Sequence, residues 1–246
     1  MRAKFAGFAA AACACWSLAA PAAEEMELAP ANTNIENTAS LQRGAKYFVN
    51  YCLGCHSAQY VRYNKLAEGL RLTEDQLVNN LMFTGEQPFD TMTNAMRPDD
   101  ALRWFGIEPP DLSLIARSRG TDYIYNFLRG FYLDESSATG ANNVVLPNTA
   151  MPHVLWELQG IRRPVYEDGE SDGAEPVLSG FEVVQPGLLS EQEFDQVARD
   201  VVNFLDYIGE PMQLERRSLG IRVIGFLLVF LLIAWLLKKE IWKDVT

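Results

Sequence analysis

Cys52-Leu53-Gly54-Cys55-His56 is a C-x-x-C-H stretch, the spacing at which a haem is attached covalently to protein. Two thiols at this separation form thioethers with the two vinyl groups of one porphyrin, and the next residue presents an imidazole to the iron. The whole chain of 246 residues holds four Cys and two His, and three of those six fall in these five positions. A small haem domain is therefore the first expectation. The pair could also be a redox dithiol or half of a zinc site. Zinc needs four ligands, usually from a second Cys or His pair, and no second pair follows. A thioredoxin-like dithiol follows a strand in a βαβ unit, whereas this motif follows a helical stretch.

The ends of the chain place the domain. Arg2 and Lys4 precede an apolar run from Phe5 to Ala20, and Ala20-Pro21-Ala22-Ala23 leads into Glu24-Glu25. This is the pattern of an export signal with a small-residue cleavage site, so residues 1–23 are expected to be removed, with the mature start near Ala23 or Glu24. Cys13 and Cys15 leave with it, and Cys52 and Cys55 remain. A lipid-modified Cys13 is a weaker reading, because Ala10-Ala11-Ala12 lacks the usual Leu. At the other end, Leu219 to Leu237 is interrupted by one charge, Arg222, and 19 residues span ~28 Å as a helix. Trp235 and Trp242 sit where interfacial aromatics belong. Basic residues flank both sides of this span, so charge does not orient it. The export signal does: residues 24–218 are expected in the periplasm, 219–237 in the inner membrane and 238–246 in the cytoplasm.

The formal net charge is −11; losing Arg2 and Lys4 with the signal takes it to −13. Such a surface disfavours nucleic acid and steers a basic protein partner toward it. The densest acidic run, Tyr166 to Glu175, is rich in Gly and Ser and reads as a solvated loop.

Residues 24–39 read as an extended arm, and residues 40–212 as one exported domain. Ser40 to Tyr51 is a predicted helix with Leu41, Ala45, Phe48 and Val49 on one face and Gly44 open to a close neighbour. Thr73 and Gln76 form a capping box that starts a helix at Glu74, and Ser190 with Glu193 starts the last exported helix, ending at Gly209 and Pro211. Further helices are predicted over Pro98 to Phe105, Pro110 to Arg119, and Asp122 to Tyr132 after a Thr121 cap. No segment shows sustained strand alternation. The expected fold is mainly α, a cytochrome c-type haem domain with long loop insertions and one C-terminal transmembrane helix.

His56 supplies one axial ligand, and the chemistry depends on the other. A Met raises the potential and closes the site, a second His lowers it, and an open position admits small molecules. Met82 reads as core, while Met92 and Met96 lie in loops without a following Pro. Met151 is favoured, because Met151-Pro152 ends a loop of turn-forming residues from Gly140 to Ala150. His153 is its rival.

Beyond the haem motif, the chain carries Pro109-Pro110-Asp111-Leu112-Ser113, then Arg117, Arg119, Asp122 and Tyr123. It also carries Met151-Pro152, Val197-Ala198-Arg199-Asp200-Val201-Val202-Asn203-Phe204-Leu205 and the terminal anchor. In this order they resemble the cytochrome c1 family, the haem subunit of the ubiquinol–cytochrome c reductase (bc1) complex, in a proteobacterial form. The resemblance implies one haem c held by Cys52 and Cys55, with His56 and Met151 as axial ligands. It also implies that Pro110 packs on the haem edge and that Arg119 and Tyr123 contact the propionates. The implied partners are cytochrome b beside the anchor, a Rieske iron–sulfur protein as donor, a soluble cytochrome c as acceptor, and membrane lipid. The implied activity is one-electron transfer within the reductase. The stretch from Tyr166 to Gly187, with its acidic loop, departs from the family pattern. Two rival readings remain: a stand-alone anchored shuttle, and a haem enzyme or sensor with a displaceable sixth ligand.

Overall fold

Thr38–Tyr47 forms the first helix, α1, opened by the Asn37 side chain accepting from the Ser40 amide. It does not stop at Tyr47 but widens into one π-turn, Phe48–Cys52, closed by the Leu53 amide on the Phe48 carbonyl at 2.9 Å. π-turns are rare and concentrate at functional sites, and this one delivers the haem motif. The computed structural model describes residues 28–167 and 177–244. The expected export signal and most of the acidic run lie outside the described residues.

Strand β1, Ala58–Arg62, leaves the motif and pairs antiparallel with β2, Thr91–Met92. Between them lie α2, Tyr63–Leu70, and α3, Glu74–Asn80, whose Thr73–Gln76 capping box is reciprocal as expected. Helix α4, Pro98–Phe105, keeps its predicted limits and ends at Gly106 with φ 72°. The next segment differs from expectation. Helix α5 covers only Ile115–Arg119, because the Asp111 carboxylate takes the amides of Ser113 and Gln59 at 2.8 and 2.9 Å. A side chain that captures nearby amides in this way competes with helix formation.

Helix α6, Thr121–Arg129, starts at Gly120, φ 87°, rather than at a Thr121 cap. It also ends before Tyr132, since Phe131–Leu133 is strand β3, paired with β4, Ala141–Asn143. A short α7, Trp156–Gln159, leads into a long antiparallel hairpin, β5, Gly160–Glu167, with β6, Val177–Pro186. The fold is mainly α as expected, but this hairpin forms where no sustained strand alternation was read in the sequence. Val165, Tyr166, Val183 and Val184 are all exposed, so no buried face imposes a period of two on the sequence. Helix α8, Glu191–Gly209, has the expected Ser190–Glu193 box. Helix α9, Gln213–Ile241, outruns the predicted span at both ends, with a mean hydropathy of 2.5 over its apolar window. None of its residues is buried, and it is long and apolar enough to cross a membrane.

The core forms where α1 lies against α8. Gly44 makes this possible: a Cβ there would lie 2.0 Å from the Asp200 carbonyl oxygen and 2.7 Å from Phe204 Cβ. Phe48 and Phe204 then meet at 5.3 Å between ring centres. Asp200, 1% exposed, accepts from Ser40 Oγ at 2.6 Å and from Arg43 Nε and Nη2 at 2.6 and 2.8 Å. Both ends of the haem motif's lead-in helix are thus fixed to α8. Residues 28–37 run along α6 and α8, with Asn126 and Asn203 each bonding both backbone groups of one residue, Ala29 and Asn34.

Candidate haem site

His56 Nδ1 lies 2.7 Å from the Pro110 carbonyl oxygen. A carbonyl only accepts, so Nδ1 carries the proton and Nε2 keeps its lone pair. This is the arrangement by which proteins orient a metal-ligating imidazole. Burial lowers the His56 pKa, opposed by the Pro110 carbonyl and Asp111, which favours the neutral ring. The Pro110 segment is itself fastened to the motif: the Leu112 amide donates to the Ser57 carbonyl at 2.8 Å, and the Tyr60 amide donates to Ser113 Oγ at 3.1 Å. Asn94 closes the other side, its side chain donating to the Cys55 carbonyl and its amide to Ser57 Oγ at 3.0 Å.

Cys52 and Cys55 are free thiols. Burial, with Cys55 adding to it, pushes Cys52 up to about 12, and burial raises Cys55 as well. Neither is tuned as a thiolate nucleophile, which weighs against the dithiol alternative, and among the described residues no third His, Cys, Asp or Glu joins them in a zinc-binding group.

Met151 sits half-buried in a bend, its amide 3.4 Å from Thr149 Oγ1. Two buried asparagines from β4 hold the loop that leads to it. The Asn143 side chain donates to the Phe127 carbonyl at 2.8 Å and accepts from the amides of Val145 and Leu146. Asn142 Oδ1 accepts from the Asn148 amide at 2.7 Å. Beyond Met151, the Val154 amide bonds the Pro152 carbonyl at 2.8 Å and the Trp156 amide the His153 carbonyl at 3.2 Å. The His153 ring lies flat on Phe131, 5.0 Å between centres and 2° between planes. Burial and then Arg162 push its pKa down to about 4, against Gly160 and Gln159. It is a neutral ring that Gly160 and Gln159 approach, but among the described residues neither buried nitrogen has a hydrogen bond of full geometry, and it stays chemically able to ligate iron.

Arg119 places its guanidinium 5.5 Å from the Tyr123 ring centre. Tyr123 stacks on Phe127 at 6.3 Å, four residues on along α6, and Phe127 meets Phe131 edge-on at 5.2 Å. An aromatic row therefore joins the predicted propionate contacts, Arg119 and Tyr123, to His153 and the Met151 segment. Phe127 and Phe131 were not singled out in the sequence, although the i, i+4 spacing from Tyr123 to Phe127 is a readable signal. Asn94, Asn142 and Asn143 act as struts, a role that nothing in their local sequence marks. The residues present fit a covalently attached haem: two unpaired thiols, an imidazole with its proton fixed on the far nitrogen, a held thioether loop and an aromatic wall.

A model of the Cytochrome C1 family matches residues 33–245. Cytochrome c1 of Allochromatium vinosum is 50% identical over 228 residues, 93% of each chain. The ammonia monooxygenase gamma subunit of Nitrosomonas europaea is 42% identical over 222 residues, 90% of each chain. The cytochrome b-c1 complex catalytic subunit of Candida albicans mitochondria is 26% identical over 227 residues, covering 84% of this chain and 72% of that one.

Proposed function

The chain belongs to the cytochrome c1 family, and from that premise we propose that it carries single electrons from a Rieske iron–sulfur protein to a soluble cytochrome c. It does so as the haem-bearing, membrane-anchored subunit of a cytochrome b–c1 complex, with α9 beside cytochrome b and in contact with lipid. Residues 1–23 serve as the export signal, the haem domain lies in the periplasm and the tail after 237 in the cytoplasm. The observation that carries the reading is the His56–Pro110 bond of 2.7 Å, because it fixes the tautomer that an iron ligand needs.

When bound, the haem supplies a one-electron couple at its iron. The protein's residues do the rest. Cys52 and Cys55 would anchor the porphyrin, and His56 Nε2 would ligate the iron while Pro110 holds the ring. Met151 would supply its thioether as the other iron ligand, a soft neutral donor that raises the potential and closes the iron to small molecules. Arg119, steadied over Tyr123, would pair with a propionate and offset the cost of desolvating that charge. The acidic surface steers a basic cytochrome c toward the exposed edge.

Replacing Met151 by Leu tests the assignment. Covalent haem is retained and the midpoint potential drops markedly; an unchanged midpoint transfers the sixth position to His153 or to another Met.

A further inference from the structure

The buried side-chain atoms without a hydrogen-bond partner among the described residues all fall at one place: both His153 nitrogens, Gln159 Oε1 and Arg162 Nε. Buried polar groups are normally paired, so this concentration behind the Met151 segment calls for a cause. Arg162 is the charged member. One terminal nitrogen, Nη2, donates to neutral acceptors, the Arg129 carbonyl and the Phe131 carbonyl, the latter at 3.3 Å. Its guanidinium lies 4.3 Å from the Phe181 ring centre.

No carboxylate among the described residues forms an ion pair with it. Its neighbour Arg129 is paired with Asp195 at 3.3 Å, so that carboxylate already serves two other arginines, Arg129 and Arg199. Burial first, then Arg129, lower the Arg162 pKa to about 10, against the opposing field of Glu191 on α8. At neutral pH it is still a cation. Arg162 pairs in register with Val183, five residues from Glu167 at the outer end of β5, which is ~16 Å at ordinary strand rise.

We propose that Arg162 is a potential-tuning residue: a half-buried cation without a paired carboxylate, set behind the Met151 segment, that raises the midpoint potential of the haem. Oxidation adds one positive charge at the iron, and a fixed positive charge nearby in a poorly polarisable setting opposes that addition. The link to the iron is short in chain terms. Arg162 Nη2 donates to the Phe131 carbonyl at 3.3 Å, the Phe131 ring stacks on His153 at 5.0 Å, and Met151 is two residues, at most ~7 Å of extended chain, from His153. The inference rests on the proposed reading of Met151 as the sixth ligand.

The test is a redox titration of the full chain in its detergent-solubilised membrane complex, with the ferric thioether-to-iron charge-transfer band recorded alongside. In R162Q the midpoint falls, with the equilibrium constant for reduction down on the order of tenfold, ~59 mV for one electron. The charge-transfer band is retained, and R162K restores the parent midpoint. If R162Q accumulates no haem protein, V183E against V183Q decides, since position 183 faces Arg162 across the hairpin: V183E lowers the midpoint and V183Q does not. The proposal is overturned by an R162Q midpoint equal to the parent's, by an R162K midpoint as low as that of R162Q, or by loss of the band in R162Q. Where the decision passes to the Val183 pair, equal midpoints overturn it. Failure of the ligand reading is separately visible, because M151L would then keep the parent's band.

Discussion

A neutral imidazole has one donor nitrogen and one acceptor nitrogen, and at His56 the Pro110 carbonyl decides which is which. The motif itself, two thiols and a His in five residues, was legible as haem chemistry. The acceptor that orients the ring lies 54 residues away and was not, because a backbone carbonyl leaves no mark in the sequence. The same holds for the proposed sixth ligand. Met151-Pro152 stood out by its loop composition, whereas Asn143, fully buried, reads as another turn residue. Replacing Asn143 by Ala strands the Phe127 carbonyl and two loop amides, a loss of ~1–3 kcal/mol, measured by denaturant unfolding of the haem-loaded chain. Tyr125 gives a pH test. Burial, then its hydrogen bond to Asp195, raises its pKa to about 12, above the ordinary ~10. With the folded value raised, its contribution is complete below pH ~10 and is lost as pH climbs to about 12. The melting temperature accordingly falls across that window, and Tyr125→Phe removes part of the fall.

At the scale of elements, packing that rests on one residue type is predictable and packing that rests on neighbours is not. Gly44 was read as a point of close approach, and it faces the backbone of α8 at a distance that excludes a side chain. Gly44→Ala forces α1 away from α8 and costs ~1–3 kcal/mol or more; thermal unfolding of the variant checks this, and a stability equal to the parent's counts against the packing account. The reciprocal caps at Thr73 and Ser190 were legible because both partners are local. The hairpin of β5 and β6 was not, since Val165 and Tyr166 on one strand and Val183 and Val184 on the other are adjacent and all exposed, which leaves no alternation to read. Nor was the shortening of the helix predicted over 110–119, where Asp111 is drawn into a turn by Gln59 of a distant segment.

Taken as one molecule, the chain combines a strongly acidic charge balance, −11 overall, with one long apolar helix that buries none of its residues. Glu210 joins the two parts: it accepts from Arg117 of α5 at 2.5 Å and from Arg216 of α9, so α9 is tied to the helix that ends in Arg119. An acidic surface attracts a basic cytochrome c over long range, and salt screens that attraction. The rate of electron transfer to such an acceptor therefore falls as ionic strength rises, and neutralising docking carboxylates flattens the dependence. A rate indifferent to salt places the docking face elsewhere. The central claim is that one covalent, six-coordinate haem makes this chain a one-electron carrier. A reduced-minus-oxidised spectrum with a redox titration of the purified full-length protein addresses it directly. The account predicts a low-spin haem c that titrates as one single-electron wave and binds no carbon monoxide at neutral pH. A high-spin ferric spectrum, or ready binding of carbon monoxide, contradicts it.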